Sequence, residues 1–113
     1  MQTLDDRTQR IRELNDQLRQ DPRQGKLMIT NDVTAIAYEY GLAAILKAIR
    51  ANSEFTEDND PHGEHDFGSI KLGPATVWWK IDYYDSACKE GSEDPANPAL
   101  TTRVMTIMTP SEY

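Results

Sequence analysis

The segment Asp66–Tyr84, DFGSIKLGPATVWWKIDYY, decides the fold of this chain. Two stretches rich in β-branched and aromatic residues lie on either side of Gly73-Pro74, a dipeptide typical of tight turns. The pattern therefore predicts an antiparallel β-hairpin. Placing Leu72 opposite Ala75 then fixes the register of every other pair in the hairpin.

In this register the two faces of the hairpin differ in character. The apolar face consists of Ile70, Leu72, Ala75, Val77, Trp79, Ile81 and Tyr83. The mixed face consists of His65, Phe67, Ser69, Lys71, Thr76, Trp78, Lys80, Asp82 and Tyr84. A slip of one residue would mix the two sets, so the pattern predicts one face in the core and one face open to solvent or a partner.

The rest of the chain alternates helical and extended patterns. Leu4, Ile11, Leu14 and Leu18 recur at helical spacing, and the other face, made of Arg, Gln and Glu, is predicted to be solvated. We predict a helix from about Leu4 to Arg19, a strand over Gly25–Thr30, a helix over Val33–Ala51 with a break near Gly41, and a last strand over Thr101–Thr109. The expected fold is α+β in a single domain, 1–113, with two helices on one face of a mostly antiparallel sheet of about four strands.

Charge and composition restrict the classes of function. The formal net charge is −7, which disfavours direct contact with nucleic-acid phosphates and is compatible with binding a basic protein surface. The single cysteine, Cys88, excludes an internal disulfide and favours a reducing compartment. The first residues lack the apolar core of a signal peptide, and no apolar run could span a bilayer, so we expect a cytoplasmic protein.

The predicted hairpin register places His65 opposite Asp82, with about 5 Å between the two Cβ atoms. We therefore expect a charged hydrogen bond between these side chains. His65 also belongs to the segment Thr56–Gly68, TEDNDPHGEHDFG, which combines five acidic residues, two histidines, two glycines and a proline. Three hypotheses account for this acidic loop.

The first hypothesis is structural. Asp58, Asn59 and Asp60 precede Pro61, and Asx side chains in such positions hydrogen-bond to nearby backbone N–H groups. Gly63 allows backbone dihedrals that other residues avoid. The loop would then be an ordered turn at the end of the sheet.

The second hypothesis is a metal or acid–base site. The potential ligands are His62, Glu64, His65, Asp66, Asp82 and Asp85. Two imidazoles with one or two carboxylates could bind a divalent metal, for which His62, His65, Asp66 and Asp85 are the candidates. Without a metal, His65 oriented by Asp82 and assisted by Glu64 could act as a general base. The spacing matches neither a familiar zinc motif nor an EF-hand loop.

The third hypothesis is a protein-binding surface. Aromatic residues of the mixed hairpin face are of the kind enriched at interfaces, and acidic residues of the loop would steer a basic partner towards them. The candidate partner-binding residues are Asp58, Asp60, Glu64, Phe67, Trp78, Lys80, Asp82 and Tyr84.

Three segments resemble a small uncharacterised bacterial family. They are FTEDNDPHGEHDFG (55–68), WWKIDYYD (78–85) and TRVMTIMTPSEY (102–113). The family is identified as a domain of unknown function, found mostly in alphaproteobacterial genomes, plasmids and phages. The resemblance implies a compact domain and a mobile-element setting, and it implies no reaction.

Proteins of this size and acidity on mobile elements are often counter-defence factors. The leading hypothesis is therefore a small acidic binding protein, rather than an enzyme, that inhibits a host nucleic-acid-handling complex such as a CRISPR effector or a restriction system. It predicts a protein partner and no cofactor, no membrane and no directly bound nucleic acid. The alternative is a small metal-dependent or acid–base enzyme centred on residues 63–66. A homodimer through the apolar hairpin face is a further hypothesis.

Overall fold

The computed structural model of the chain describes residues 5–113. Three helices and four strands follow one another in an α+β arrangement. They are α1 (Asp6–Gln20), β1 (Lys26–Ile29), α2 (Asn31–Tyr40), α3 (Leu42–Ala51), β2 (Phe67–Leu72), β3 (Ala75–Tyr84) and β4 (Thr102–Met108). Short 3-10 turns precede β1 and β4, and another follows β4.

A capping side chain and a proline set the two ends of the first helix. The side chain of Asp5 accepts a hydrogen bond from the backbone N–H of Thr8 and so caps the helix. Asp21 ends it, because Pro22 disfavours helical backbone in the residue before it. The predicted start at Leu4 lies outside the described residues.

The predicted second helix is two helices. Gly41 adopts a φ of 88°, which a helix cannot contain, so α2 ends at Tyr40 and α3 begins at Leu42. The sequence indicated a break near this glycine. Because the segment is divided, both helices pack apolar residues against the same sheet. These residues are Val33 of α2 and Ile45 and Ile49 of α3.

The sheet has the order β1-β4-β3-β2, and the predicted hairpin register is confirmed. Leu72 pairs with Ala75, and Gly68 pairs with Trp79. Gly73 has a φ of 58°, and the proline after it fixes a negative φ, the combination that a type II′ turn needs. β3 and β4 are antiparallel, whereas the edge strand β1 runs parallel to β4. The sheet is thus mostly antiparallel, as expected.

All three helices lie on the apolar face of the sheet. The buried core consists of Leu18, Val33, Ile45, Ile49, Ile70, Val77, Trp79, Ile81, Met105 and Ile107. Trp79 is fully buried, and its indole N–H donates to the side-chain oxygen of Asn52 at 2.9 Å. The other face of the sheet, which carries Trp78, is covered by no helix of residues 5–113, and we call it the open face. Across the same residues, no helix has the length and apolarity to cross a membrane.

Candidate functional site

The acidic loop is an ordered turn held by its own polar side chains. Asn59 accepts a hydrogen bond from the backbone N–H of Thr56, and the hydroxyl of Thr56 accepts one from the N–H of Asn59. The carboxylate of Asp60 accepts from the backbone N–H groups of Glu64 and His65, at 3.0 and 3.2 Å. These are the contacts that the structural hypothesis predicts.

His65 does not pair with Asp82, so that prediction is wrong. The backbone of His65 has a φ of 55°, outside the extended range, and β2 begins only at Phe67. The imidazole turns to the helix side of the sheet, where its Nδ1 lies 3.0 Å from Oδ1 of Asp16 in α1. Its ring stacks on Phe55 with a centroid distance of 3.8 Å. The alternation of a regular strand fails here because β2 has not yet begun at this residue.

Side chains of helix α1 hold one side of the acidic loop through hydrogen bonds. The Nε atom of Arg12 donates to the carbonyl oxygen of Gly63 at 2.7 Å, and Nδ2 of Asn15 donates to that of Glu64 at 2.9 Å. The predicted solvated face of this helix is wrong at Arg19, which is buried, and Asn15, which lay outside that prediction, is buried as well. Asn15 carried a signal, because it lies four residues after Ile11 and three before Leu18, within the apolar stripe.

Arg19 links the helix to the aromatic part of the core. Its guanidinium donates to the carbonyl oxygens of Ile49 and Asn52 and to the carboxylate of Asp16. It also lies over the rings of Phe55 and Trp79, at 5.0 and 4.9 Å from their centroids. With three hydrogen-bond acceptors and two aromatic rings around it, this buried cation holds α1, α3 and the loop in one arrangement.

A second polar network lies beneath the loop, around the hydroxyl of Tyr83. That hydroxyl donates to the carboxylate of Glu64 at 2.7 Å and accepts from Asn15 at 2.8 Å. Arg103 donates to the side-chain oxygen of Asn15 and lies over the Tyr83 ring. Burial raises the pKa of Tyr83 well above its usual value, and burial lowers the pKa of Arg103. Glu64 therefore belongs to the interior of the loop.

An open cleft of about 660 Å³ lies between α1 and the loop. Asp16, Phe55 and His65 line it, together with Arg12. Both ring nitrogens of His65 face carboxylates, since Nε2 lies 3.9 Å from Oδ2 of Asp60 while Nδ1 contacts Asp16. An imidazole held in this way ties the loop to the helix. The imidazole thus has a structural role, because both of its ring nitrogens face carboxylates of the protein.

The candidate metal ligands lie apart from one another. His62 is exposed and lines both the cleft beside α1 and a pocket on the open face, whereas His65 is bound by Asp16 on the helix side. The carboxylate of Asp85 accepts the backbone N–H of Lys89 in a separate turn. Within residues 5–113, no group of three or more His, Cys, Asp or Glu side chains is arranged to bind a metal ion.

The open face carries an aromatic cluster, Phe67, Trp78 and Tyr113, which we call the aromatic triad. The Trp78 ring packs edge-on against Phe67 at 5.3 Å and against Tyr113 at 5.7 Å between ring centroids. Trp78 is half-buried by these two rings. Tyr113 was not among the residues that the sequence singled out, because it lies far from the hairpin in the chain.

Polar residues flank the aromatic triad on the same face. Lys80 and Asp82 form an ion pair at 3.1 Å, and Tyr84 is exposed. Of the acidic partner-binding candidates, Asp58 is exposed, whereas Asp60 is buried and bonded to the loop backbone. The structure thus brings the hairpin candidates together and places Asp60 inside the loop.

The fold and these surfaces define a small α+β protein with helices on one face of a sheet and aromatic residues on the other. The chain belongs to the family described as Protein of unknown function (DUF3768), whose family model matches residues 29–112. No curated protein and no solved structure matches the chain. The matched segment contains the whole hairpin and the acidic loop, and α1 lies before it.

Proposed function

We propose that this chain is a small acidic binding protein that inhibits a host nucleic-acid-handling complex, such as a CRISPR effector or a restriction system, inside the bacterial cell. It acts by direct contact between the open face of its sheet and a basic protein surface. The observation that carries the proposal is the half-exposed aromatic triad on a sheet face that none of the described helices covers.

Two physical arguments support this mode of binding. Aromatic side chains provide large contact areas at little cost in conformational entropy, and they are enriched at the centres of interfaces. The net charge of −7 accelerates encounters with a basic surface, including one that otherwise binds nucleic acid. The resemblance to mobile-element proteins points to host defence complexes as the first partners to examine.

The test is inhibition of DNA cleavage by a panel of purified CRISPR effector complexes and restriction endonucleases. We expect the wild-type chain to inhibit at least one of them. The double variant Trp78→Ala/Asp82→Ala should inhibit it at least about tenfold less well, because it lacks the central ring and one flanking charge. Far-UV circular dichroism of the double variant should match the wild-type spectrum.

Tyr38→Ala provides the matched control. Tyr38 is 95% exposed and lies on α2, on the other side of the sheet. Its truncation removes an exposed aromatic ring and should leave inhibition unchanged. Undiminished inhibition by the double variant, or no inhibition of any panel member by the wild type, would refute the proposal.

A further inference from the structure

A small pocket of about 280 Å³ opens beside the aromatic triad on the open face. Phe67 and Tyr113 form part of its wall, Asp66, Lys80 and Asp82 supply its charges, and the imidazole of His62 also lines it. An aromatic wall next to carboxylates is the environment that a planar organic cation prefers, since the ring faces and the carboxylates both attract positive charge.

The two carboxylates of the pocket differ in their local charge balance. Asp82 is already paired with Lys80 at 3.1 Å. Asp66 is half-buried and has no lysine or arginine nitrogen within 4.0 Å among residues 5–113. Burial raises the pKa of Asp66, and the nearby carboxylates of Glu64 and Asp60 raise it further. The imidazole of His62, which also lines the pocket, has a smaller opposing effect on this pKa, so the surroundings of the Asp66 carboxylate are mainly negative.

We propose that this pocket receives an arginine side chain of the protein partner, with its guanidinium against Asp66 and its plane against the rings of Phe67 and Tyr113. The inference rests on the proposed function and specifies the partner chemistry. Arginine fits better than lysine, because a guanidinium can stack on a ring and donate to a carboxylate at the same time. The ion pair of Lys80 with Asp82 leaves Asp66 as the anion that the incoming cation contacts.

The test is a titration of the ¹⁵N-labelled protein with N-acetyl-arginine amide, followed by amide chemical shifts. The neutral, nearly isosteric N-acetyl-citrulline amide is the matched ligand. We expect saturable shifts around Asp66 and Phe67 with the arginine derivative, and at least tenfold weaker binding of the citrulline derivative. Asp66→Asn should weaken arginine binding at least tenfold, and Glu93→Gln, an exposed carboxylate change away from the pocket, should not.

Stability measurements separate loss of binding from loss of folding. The pKa of Asp66 is raised above its ordinary value of 3.8 in the folded protein. Between 3.8 and the raised value, the folded protein therefore binds more protons than the unfolded chain. The free energy of unfolding consequently falls as the pH rises through the raised value. Asp66→Asn removes this penalty and should be more resistant to urea than wild type at pH 7. A variant that is more stable and binds less well cannot have lost binding by unfolding.

The possible outcomes separate this proposal from the one on which it rests. Equal binding of the arginine and citrulline derivatives, no saturable shift, or wild-type binding by Asp66→Asn would each overturn the arginine pocket. In those cases, partner inhibition that still depends on Trp78 and Asp82 would leave the proposed function standing. Arginine binding without inhibition of any panel member would support the pocket and refute the proposed function.

Discussion

At the scale of single residues, the backbone of His65 decides where its side chain acts. A φ of 55° places a residue with a Cβ in the left-handed region, at a cost of about 1–2 kcal/mol. The contacts with Asp16, Phe55 and the carboxylate of Asp60 offset that cost. The imidazole is therefore a connection between the loop and α1, and its removal should affect stability before it affects any binding activity.

We predict that His65→Ala lowers the free energy of unfolding by about 1–3 kcal/mol, because it removes a hydrogen bond and a stacked ring and keeps the backbone strain. His65→Gly should be less destabilising than His65→Ala by about 1 kcal/mol, since glycine adopts this φ without penalty. Urea unfolding followed by circular dichroism measures both. His62→Ala is the control, because His62 is exposed and should change stability by less than about 0.5 kcal/mol. A His65→Ala variant as stable as wild type would contradict the fastening role.

Tyr83 illustrates how burial of one hydroxyl makes stability depend on alkaline pH. Its pKa is raised in the folded state, so above about pH 10 the unfolded chain ionises this phenol while the folded protein does not. The contribution of the Tyr83 hydroxyl to stability is thus complete below that pH and declines above it.

We predict that Tyr83→Phe costs about 1–2 kcal/mol at pH 7, because Glu64 and Asn15 lose their shared partner. The difference between wild type and Tyr83→Phe should narrow as the pH rises above about 10. Urea unfolding at pH 7, 9 and 11 tests this. Tyr38→Phe, at an exposed ring, should track wild type throughout. A gap between wild type and Tyr83→Phe that stays constant up to pH 11 would count against the buried hydroxyl.

At the scale of elements, close packing at Gly68 joins β2 to the rest of the core. A Cβ atom at this position would overlap both the side-chain oxygen of Asn52 and the indole of Trp79. Those two groups form the hydrogen bond that connects the end of α3 to β3. The absence of a side chain at position 68 is therefore what lets α3 and the hairpin approach each other.

We predict that Gly68→Ala destabilises the protein by at least about 2 kcal/mol, because neither the buried indole nor Asn52 can move aside without losing contacts. Ser69→Ala, at the neighbouring exposed position, should change stability by less than about 0.5 kcal/mol. Thermal and urea unfolding compare the two. Equal stability of Gly68→Ala and wild type would show that the junction is looser than described.

The hairpin could be predicted from the sequence because its information is local. Turn residues at 73 and 74 and alternation on both sides fix a register between residues close in the chain. The loop contacts could not be predicted, because His65 and Asp16 are 49 positions apart and no periodic pattern relates them. A single positive φ also reverses the face of a side chain, and sequence alternation contains no sign of it.

At the scale of the whole molecule, the two sides of the sheet differ in what covers them. One side buries the apolar core beneath three helices and holds the acidic loop through α1. The other side presents the aromatic triad and the pocket at Asp66. Composition indicated an acidic protein with aromatic anchors, and the order of elements indicated the layer arrangement. The sequence did not reveal that Tyr113 joins Phe67 and Trp78 on the open face. Trp78 and Tyr113 are far apart in the chain and come into contact only in the completed sheet.

The position of β4 has a consequence for how the chain folds as the ribosome produces it. This strand lies between β1 and β3, yet it is the last of the four to be made. Until residues 102–108 have emerged, the hairpin and β1 have no common neighbour, and each offers an unpaired backbone edge. The sheet therefore cannot form until this last strand has been made. Until then, the apolar surfaces of the nascent chain are exposed to chaperones and to self-association.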